Sequence, residues 1–598
     1  MSALFADRRT LDFLLFDWLQ VASLPTLPRF AEHSRDTFAA ALDTAWQIAE
    51  REYAPLNARL DADEPQLVDG RVMRPAALSK ALRLALASAH EAGFIAAAFG
   101  NEWGGMQLPQ VVAQACGAVF KAASVAIDTH TSLSIGVANL LATHGTPAQQ
   151  ARFLPPLLAG RWFGTMVLTE PQAGSSLAEV RASATPRPEG GYLVRGQKIF
   201  ITAGDHELAD NIVHLVLARL PDAPAGTKGL SLFIVPKIRV DSGGALGAAN
   251  DVTLAGLIHK MGSKGTTSAL LQFGDNGRCV GELLGAPHQG LACMFKMMNE
   301  ARINVGIAAS VLAGAGYQQA LAYARERLQG RLSADLATPP VPIVRHADVR
   351  HMLLTQKCIA EGGLALCLQG ALWADQQAAG VTAPERRHAG LLLDLMTPVI
   401  KAWCSNQGRR ANALAVQVLG GYGYTRDFPV EQHYRDNRLN SIHEGTDGIQ
   451  ALDLLGRKLG AHEGEAFELL SREVAQTVDQ ARSIEGLDAL ADELAQAWVE
   501  LRTTTRLLQV ALTQDTPRAL AHASTYLQVV GHSVIAWVWL RLALTALPHV
   551  DGAEADFHRG KLLAARFFFR HELPATGPQH RLLRSLDPLL VELDDAQL

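Results

Sequence analysis

Paired cysteines are the first thing this 598-residue chain lacks. Its six cysteines (Cys116, Cys279, Cys293, Cys358, Cys367 and Cys404) are scattered and include no C-x-x-C pair. That pattern argues against a zinc site or a disulfide framework, and it points to a reducing compartment. An excess of positive charge is also missing. The 54 Lys and Arg residues face 59 Asp and Glu, for a formal net charge of −5. Nucleic-acid binding needs a concentrated basic surface, so no nucleic-acid partner is expected. The N-terminal stretch "MSALFADRRTLDFLLFDWLQ" has neither a basic start nor a clean apolar run, because Asp7, Asp12 and Asp17 interrupt it. A cytoplasmic protein is the expectation. The most apolar segment, "VIAWVWLRLALTAL" (534–547), is broken by Arg541 and ended by Pro548. A membrane span wants about 20 apolar residues, so a buried helix is the first reading and peripheral membrane contact the second.

What is present is a well-filled interior. Hydrophobic residues make up 48% and charged residues 19% of the chain, the composition of a globular protein. The length exceeds one hydrophobic core and suits several domains. Residues 1–163 carry Ala- and Leu-rich helical spacing, as in "RDTFAAALDTAWQIAEREYAPL". From 164 to 290 the texture turns short, β-branched and aromatic ("GGYLVRGQKIFITAG", "NIVHLVLARL", "GLSLFIVPKI"), which predicts an antiparallel β domain. Helical texture returns over 291–460, and a further helical block fills 461–598.

Three stretches invite a chemical reading. "NSIHEGTDGIQ" (440–450) resembles a zinc helix of the H-E-x-x-H type, but Asp447 stands where the second histidine would be, so no metal site is expected. "LGGYGYTRD" has the wrong spacing for a dinucleotide loop and follows a helix instead of a strand. "LTEPQAGSSLAEV" (168–180) sets the hydroxyls of Thr169, Ser175 and Ser176 beside Ala173 and Gly174 at the edge of the β domain, which suits an oxygen-rich ligand.

Taken in order, "LTEPQAGSS", "GQKIFITAG", "MFKMMNEAR", "QVLGGYGYTRDFPVEQHYRD" and "IHEGTDGIQ" resemble the acyl-CoA dehydrogenase flavoproteins over residues 50 to 460. Both ends, including "ARFFFRHELPATGP", resemble a long bacterial form with an extra C-terminal helical domain, which acts on 3-(methylthio)propanoyl-CoA or long-chain acyl-CoA. The resemblance implies a mainly α fold: an N-terminal helical domain, a central β domain, a four-helix bundle and the added helical domain. It also implies FAD as cofactor, an acyl-CoA substrate, an electron-transfer flavoprotein as acceptor, and a homodimer or dimer of dimers.

In that family the glutamate of the E-G-T turn is the base that removes the α-proton, a role that falls here to Glu444. The reaction needs a carboxylate at the α-carbon and a polarised thioester carbonyl. Gly445 would leave room for the thioester. Met166, Leu168, Thr169 and Ser175 match the first flavin loop, and Ser175 also approaches substrate. Phe200 and Thr202 match the second loop, with Phe200 packing on the ring. Gln417, Gly420 and Gly421 match residues that meet the phosphates from a neighbouring subunit, and Arg327 matches a pyrophosphate-binding arginine. Thr446 and Gly448 match positions that meet the cofactor, while Asn299 and Arg302 match a helix that approaches the CoA. Phe200 replaces a common tryptophan and His443 a common tyrosine, and the loop after Arg327 is longer than in short relatives. The alternative readings are an acyl-CoA oxidase and a DNA-binding flavoprotein of the alkylation-repair type. The second needs a basic C-terminal surface, yet 461–598 hold more Asp and Glu than Lys and Arg.

Overall fold

The computed structural model describes residues 5–335 and 337–598. The chain divides into two compact units, one made of 36–108 and 115–301, the other of 5–35, 109–114 and 302–598.

The first unit is built on a sheet. A short hairpin, β1 (Gln66–Val68) with β2 (Arg71–Met73), precedes it. The sheet strands are β3 (Trp162–Val167), β4 (Ser183–Pro186), β5 (Tyr192–Thr202), β6 (Asn211–Arg219) and β7 (Leu230–Pro236). After a second hairpin of β8 (Ile238–Val240) and β9 (Leu246–Ala249), the sheet is completed by β10 (Val252–Leu257), β11 (Ser268–Phe273) and β12 (Val280–Leu284). Strand order is β10-β11-β5-β12-β7-β6-β3, with β4 pairing to β5 and β6. Most pairs are antiparallel, as expected, but β3 and β4 both run parallel to β6. A parallel pair needs a long crossover, and the chain between β3 and β6 supplies it with β4, β5 and the hydroxyl loop.

Strands β6 and β7 are buried along almost their whole length, which their unbroken apolar runs foretell. Gly164 admits the helical segment above β3: a Cβ there would lie 2.5 Å from Val137. The Gly164 N–H donates to the Ser134 hydroxyl at 3.0 Å, so the contact is both packed and satisfied.

Long helices form the second unit, among them Ala347–Ala379 and Ala383–Leu419, with the Gly290–Glu326 helix entering it at Arg302. Thr382 opens the second of these with a reciprocal capping box to Glu385. The apolar segment is the helix Ala523–Ala546, buried by its own chain. Trp539 donates its indole N–H to the Cys358 carbonyl at 3.2 Å, and Arg541 lies between the rings of Trp18 and Trp537 while donating to Gln369 at 2.8 Å. The charge that interrupts the run is thus stacked and hydrogen-bonded, as a buried guanidinium must be.

Candidate active site

In the second unit, the chain leaves the helix Val430–Arg438, turns through Leu439–Ser441 and reaches His443, Glu444 and Gly445 before the helix Asp447–Asp453 begins. Thr446 caps that helix, its hydroxyl accepting the Ile449 N–H at 3.3 Å. Glu444 and Gly445 have φ of +54° and +84°. The glycine is required twice over, because a Cβ at 445 would also come within 2.7 Å of the Gln450 amide nitrogen. For Glu444 the left-handed backbone is a strain that the surroundings must hold.

Two buried donors hold it. Gln450 Nε2 donates to the Glu444 carbonyl at 2.9 Å, and Lys401 Nζ donates to the Gly445 carbonyl at 2.7 Å. Burial pushes the half-buried Glu444 carboxyl above the ordinary carboxylate range, while the charges of Arg302 and Lys401 pull the other way. Burial also lowers Lys401 to about 8, opposed by Asp447 and Glu444. Asp447 lies 3.5 Å from Lys401 and is itself raised by burial. Arg302 is buried and paired with Asp453 at 3.0 Å, and its charge reaches the base. Glu431, the next glutamate upstream, is tied to Arg435 at 2.6 Å on its own helix.

A chain of amides fixes His443. Asn412 Nδ2 donates to the Leu312 carbonyl, Asn437 Nδ2 to Asn412, and Asn440 Nδ2 to Asn437, at 2.8, 2.7 and 3.0 Å. The remaining Asn440 oxygen then accepts from His443 Nε2 at 3.1 Å, which assigns the Nε2–H tautomer. Burial, reinforced by the Lys401 charge, drops this imidazole to about 3, so it is neutral.

In the first unit, Met166 is the last residue but one of β3, and Leu168 and Thr169 follow the strand. Ile199 N–H donates to the Thr169 carbonyl at 3.0 Å. Lys198, fully buried on β5, donates to the Leu168 carbonyl at 2.8 Å and pairs with Glu170 at 2.9 Å. Glu170 in turn accepts the N–H groups of Arg181 and Ala182 at 2.8 and 3.0 Å, closing the hydroxyl loop on itself. Ser175 is exposed at the loop's tip. Phe200 is 58% exposed and held at φ +59°, and Thr202 ends β5 opposite Ser268.

A third group also belongs to the second unit. Gln417, Gly420 and Gly421 are exposed where the helix Ala383–Leu419 ends, and a Cβ at either glycine would meet nothing within 4 Å. Tyr422 packs on Tyr323 (ring centroids 6.4 Å apart), one turn before Arg327, so Arg327 is brought near the same turn. Arg327 is exposed and donates to Gln329 at 3.0 Å. Gly448 lies in the first turn of the helix that follows Glu444, and Asn299 stands one helical turn before Arg302. Each unit by itself carries features that suit part of FAD: in the first, an aromatic face left open to solvent and a hydroxyl loop rigid at its base; in the second, bare glycine backbone and an exposed arginine. Among the described residues no His, Cys, Asp and Glu cluster could hold a metal.

The motifs did not single out Lys198 and Lys401. Each carried a signal. On β5 the alternation is inverted, with Lys198 inside and Phe200 outside. Lys401 is a lone charge in the apolar run "TPVIKAWC".

Family models for the acyl-CoA dehydrogenase N-terminal, middle and C-terminal domains match residues 36–161, 165–275 and 288–460. A model described as acetyl-CoA dehydrogenase C-terminal like matches 470–594. The 3-methylmercaptopropionyl-CoA dehydrogenase of Ruegeria pomeroyi is 36% identical over 96% of this chain and 97% of its own. The broad-specificity linear acyl-CoA dehydrogenase FadE5 of Mycobacterium tuberculosis is 34% identical over the full length of both. The crystal structure of an acyl-CoA dehydrogenase complexed with FAD from Bacillus anthracis shares the fold, with a TM-score of 0.75 at 19% identity over 99% of this chain and 93% of the other. Agreement at these identities along nearly the whole of both chains means that this chain belongs to the acyl-CoA dehydrogenase family, whose members use FAD to dehydrogenate acyl-CoA thioesters.

Proposed function

We propose that Glu444 removes the α-proton of the acyl-CoA and that the product is the trans-2-enoyl-CoA. The observation that carries this reading is the state of the carboxyl. It sits on a left-handed turn, raised toward neutrality by burial yet faced by two cations. A carboxylate raised in that way is more basic than a solvated glutamate. Bound FAD supplies the oxidant, accepting the β-hydride.

Met166, Leu168, Thr169, Ser175, Phe200 and Thr202 would hold the flavin ring, and Thr446 and Gly448 would meet it after the turn. Gln417, Gly420, Gly421 and Arg327 would hold the phosphates of the flavin in a second copy of the chain, which makes the working form at least a dimer. The N–H of Glu444 would donate to the thioester carbonyl, with Gly445 leaving it space and Asn299 near the CoA.

We propose a linear acyl group as substrate, the class shared by the long relatives, with 3-methylthio-propanoyl included. The acceptor is an electron-transfer flavoprotein. A panel of acyl-CoA thioesters with a dye acceptor, run alongside a peroxide assay in air, tests both statements. Turnover on linear substrates without stoichiometric peroxide is expected; peroxide equal to product would make the protein an oxidase.

A further inference from the structure

Lys401 is wholly buried in the middle of the helix Ala383–Leu419, and the chemistry above gives it no task. A buried ammonium is costly to keep, and a methionine would fill the same space at less cost. The Lys401 side chain instead reaches the catalytic turn. Its Nζ donates to the Gly445 carbonyl at 2.7 Å, while Gln450 draws the Glu444 carbonyl to itself at 2.9 Å. In a trans peptide the next N–H points away from the carbonyl. Pulling both carbonyls inward therefore turns the N–H groups of Gly445 and Thr446 outward and fixes the two successive positive φ values.

The charges around the base can be named. Arg302 faces it from the helix Gly290–Glu326 and is shared with Asp453 at 3.0 Å. Lys401 faces it from the helix Ala383–Leu419, with Asp447 as a looser counter-ion at 3.5 Å. His443, on the same turn, is neutral. Lys401 is thus the cation that both touches the turn and keeps much of its charge for the base.

We propose that Lys401 is a positioning residue for the dehydrogenation: it clamps the Glu444–Gly445 turn through the Gly445 carbonyl and sets a positive charge beside the base. The proposal rests on Glu444 being that base. Its role is double, geometric and electrostatic, and the two parts give different readouts. Losing the clamp lowers kcat at every pH. Losing the charge shifts the pH at which Glu444 takes up its proton.

The test is Lys401→Met in the full-length, FAD-loaded protein. Expected are a fall in kcat of about tenfold or more at pH 7, a smaller change in KM, and a rise of about one unit in the acid limb of the kcat/KM profile. The infrared titration midpoint of the Glu444 carboxyl, assigned by difference from Glu444→Gln, should rise with the limb. Gln450→Leu, which removes the neighbouring clamp without a charge, should slow turnover and leave the midpoint in place. A folded Lys401→Met protein with limb and midpoint both unmoved would overturn the proposal. Full activity in Glu444→Gln would instead sink the base assignment, while the infrared midpoints would still report on Lys401. The two failures are therefore distinct.

Discussion

Gly531 and Trp403 meet so closely that a Cβ on the glycine would lie 2.2 Å from the indole Cδ1. The indole N–H also donates to His532 Nδ1 at 3.3 Å. This contact seats the helix Ala523–Ala546 on the helix that carries Lys401. Gly531→Val should therefore destabilise the second unit by roughly 1–3 kcal/mol or more through overpacking, read as a lower urea midpoint. Deleting 461–598 should strip the cover from Trp403 and cause aggregation. A soluble, fully active truncation would make the C-terminal block an independent appendage.

Phe200 pairs exposure with a positive φ, which costs a non-glycine residue about 1–2 kcal/mol. Phe200→Gly removes that strain, less about 0.5–1 kcal/mol of added chain entropy. The apoprotein should thus melt at an equal or higher temperature, while FAD binds more weakly. Opposite signs in the two measurements mark a residue kept for its ligand. A variant that loses apoprotein stability and keeps flavin affinity would place Phe200 in the structural core.

The first unit should be acid-sensitive. Burial lowers His90 and His130 to about 4 and His214 to about 3, and His206 is lowered as well. Three of them, His130, His206 and His214, have a buried Nε2 without a hydrogen-bond partner. The unfolded rings protonate near 6.5, so between 6.5 and 4 the unfolded state binds more protons and stability rises with pH. That stability is whole above 6.5 and drains as pH falls to 4, at up to about 1.4 kcal/mol per unit for each ring. Melting temperatures from pH 8 to 5 should show the slope, and His130→Phe should flatten it. An unchanged slope would exonerate the cluster.

Gly420, Gly421 and Arg327 form an exposed patch. If that patch holds the flavin of a second copy, flavin should be lost as the dimer is diluted, with the two losses following one curve in sedimentation and fluorescence. A monomer that retains stoichiometric FAD would contradict the assignment.

Much of this was legible in the sequence because local patterns carry it. The apolar runs of β6 and β7 announce buried strands, while the glutamate of the E-G-T turn was singled out through the resemblance to the family. The pairing of β3 parallel to β6 was not legible, since direction is set by a crossover and not by the pattern of either strand. Lys198 and Lys401 were missed for a related reason. A buried lysine owes its place to carbonyls distant in sequence, Leu168 for one and Gly445 for the other. The tie of Arg302 to Asp453, 151 positions away, was not legible either.

The most direct measurement is anaerobic, single-turnover reduction of bound FAD by acyl-CoA in Glu444→Gln. The variant should fold, hold FAD and bind substrate, yet reduce flavin at least about 10²–10⁴-fold more slowly than the unmutated protein, the range for a general base. Reduction at the unmutated rate in a folded, FAD-loaded protein would contradict the account and move the base away from Glu444.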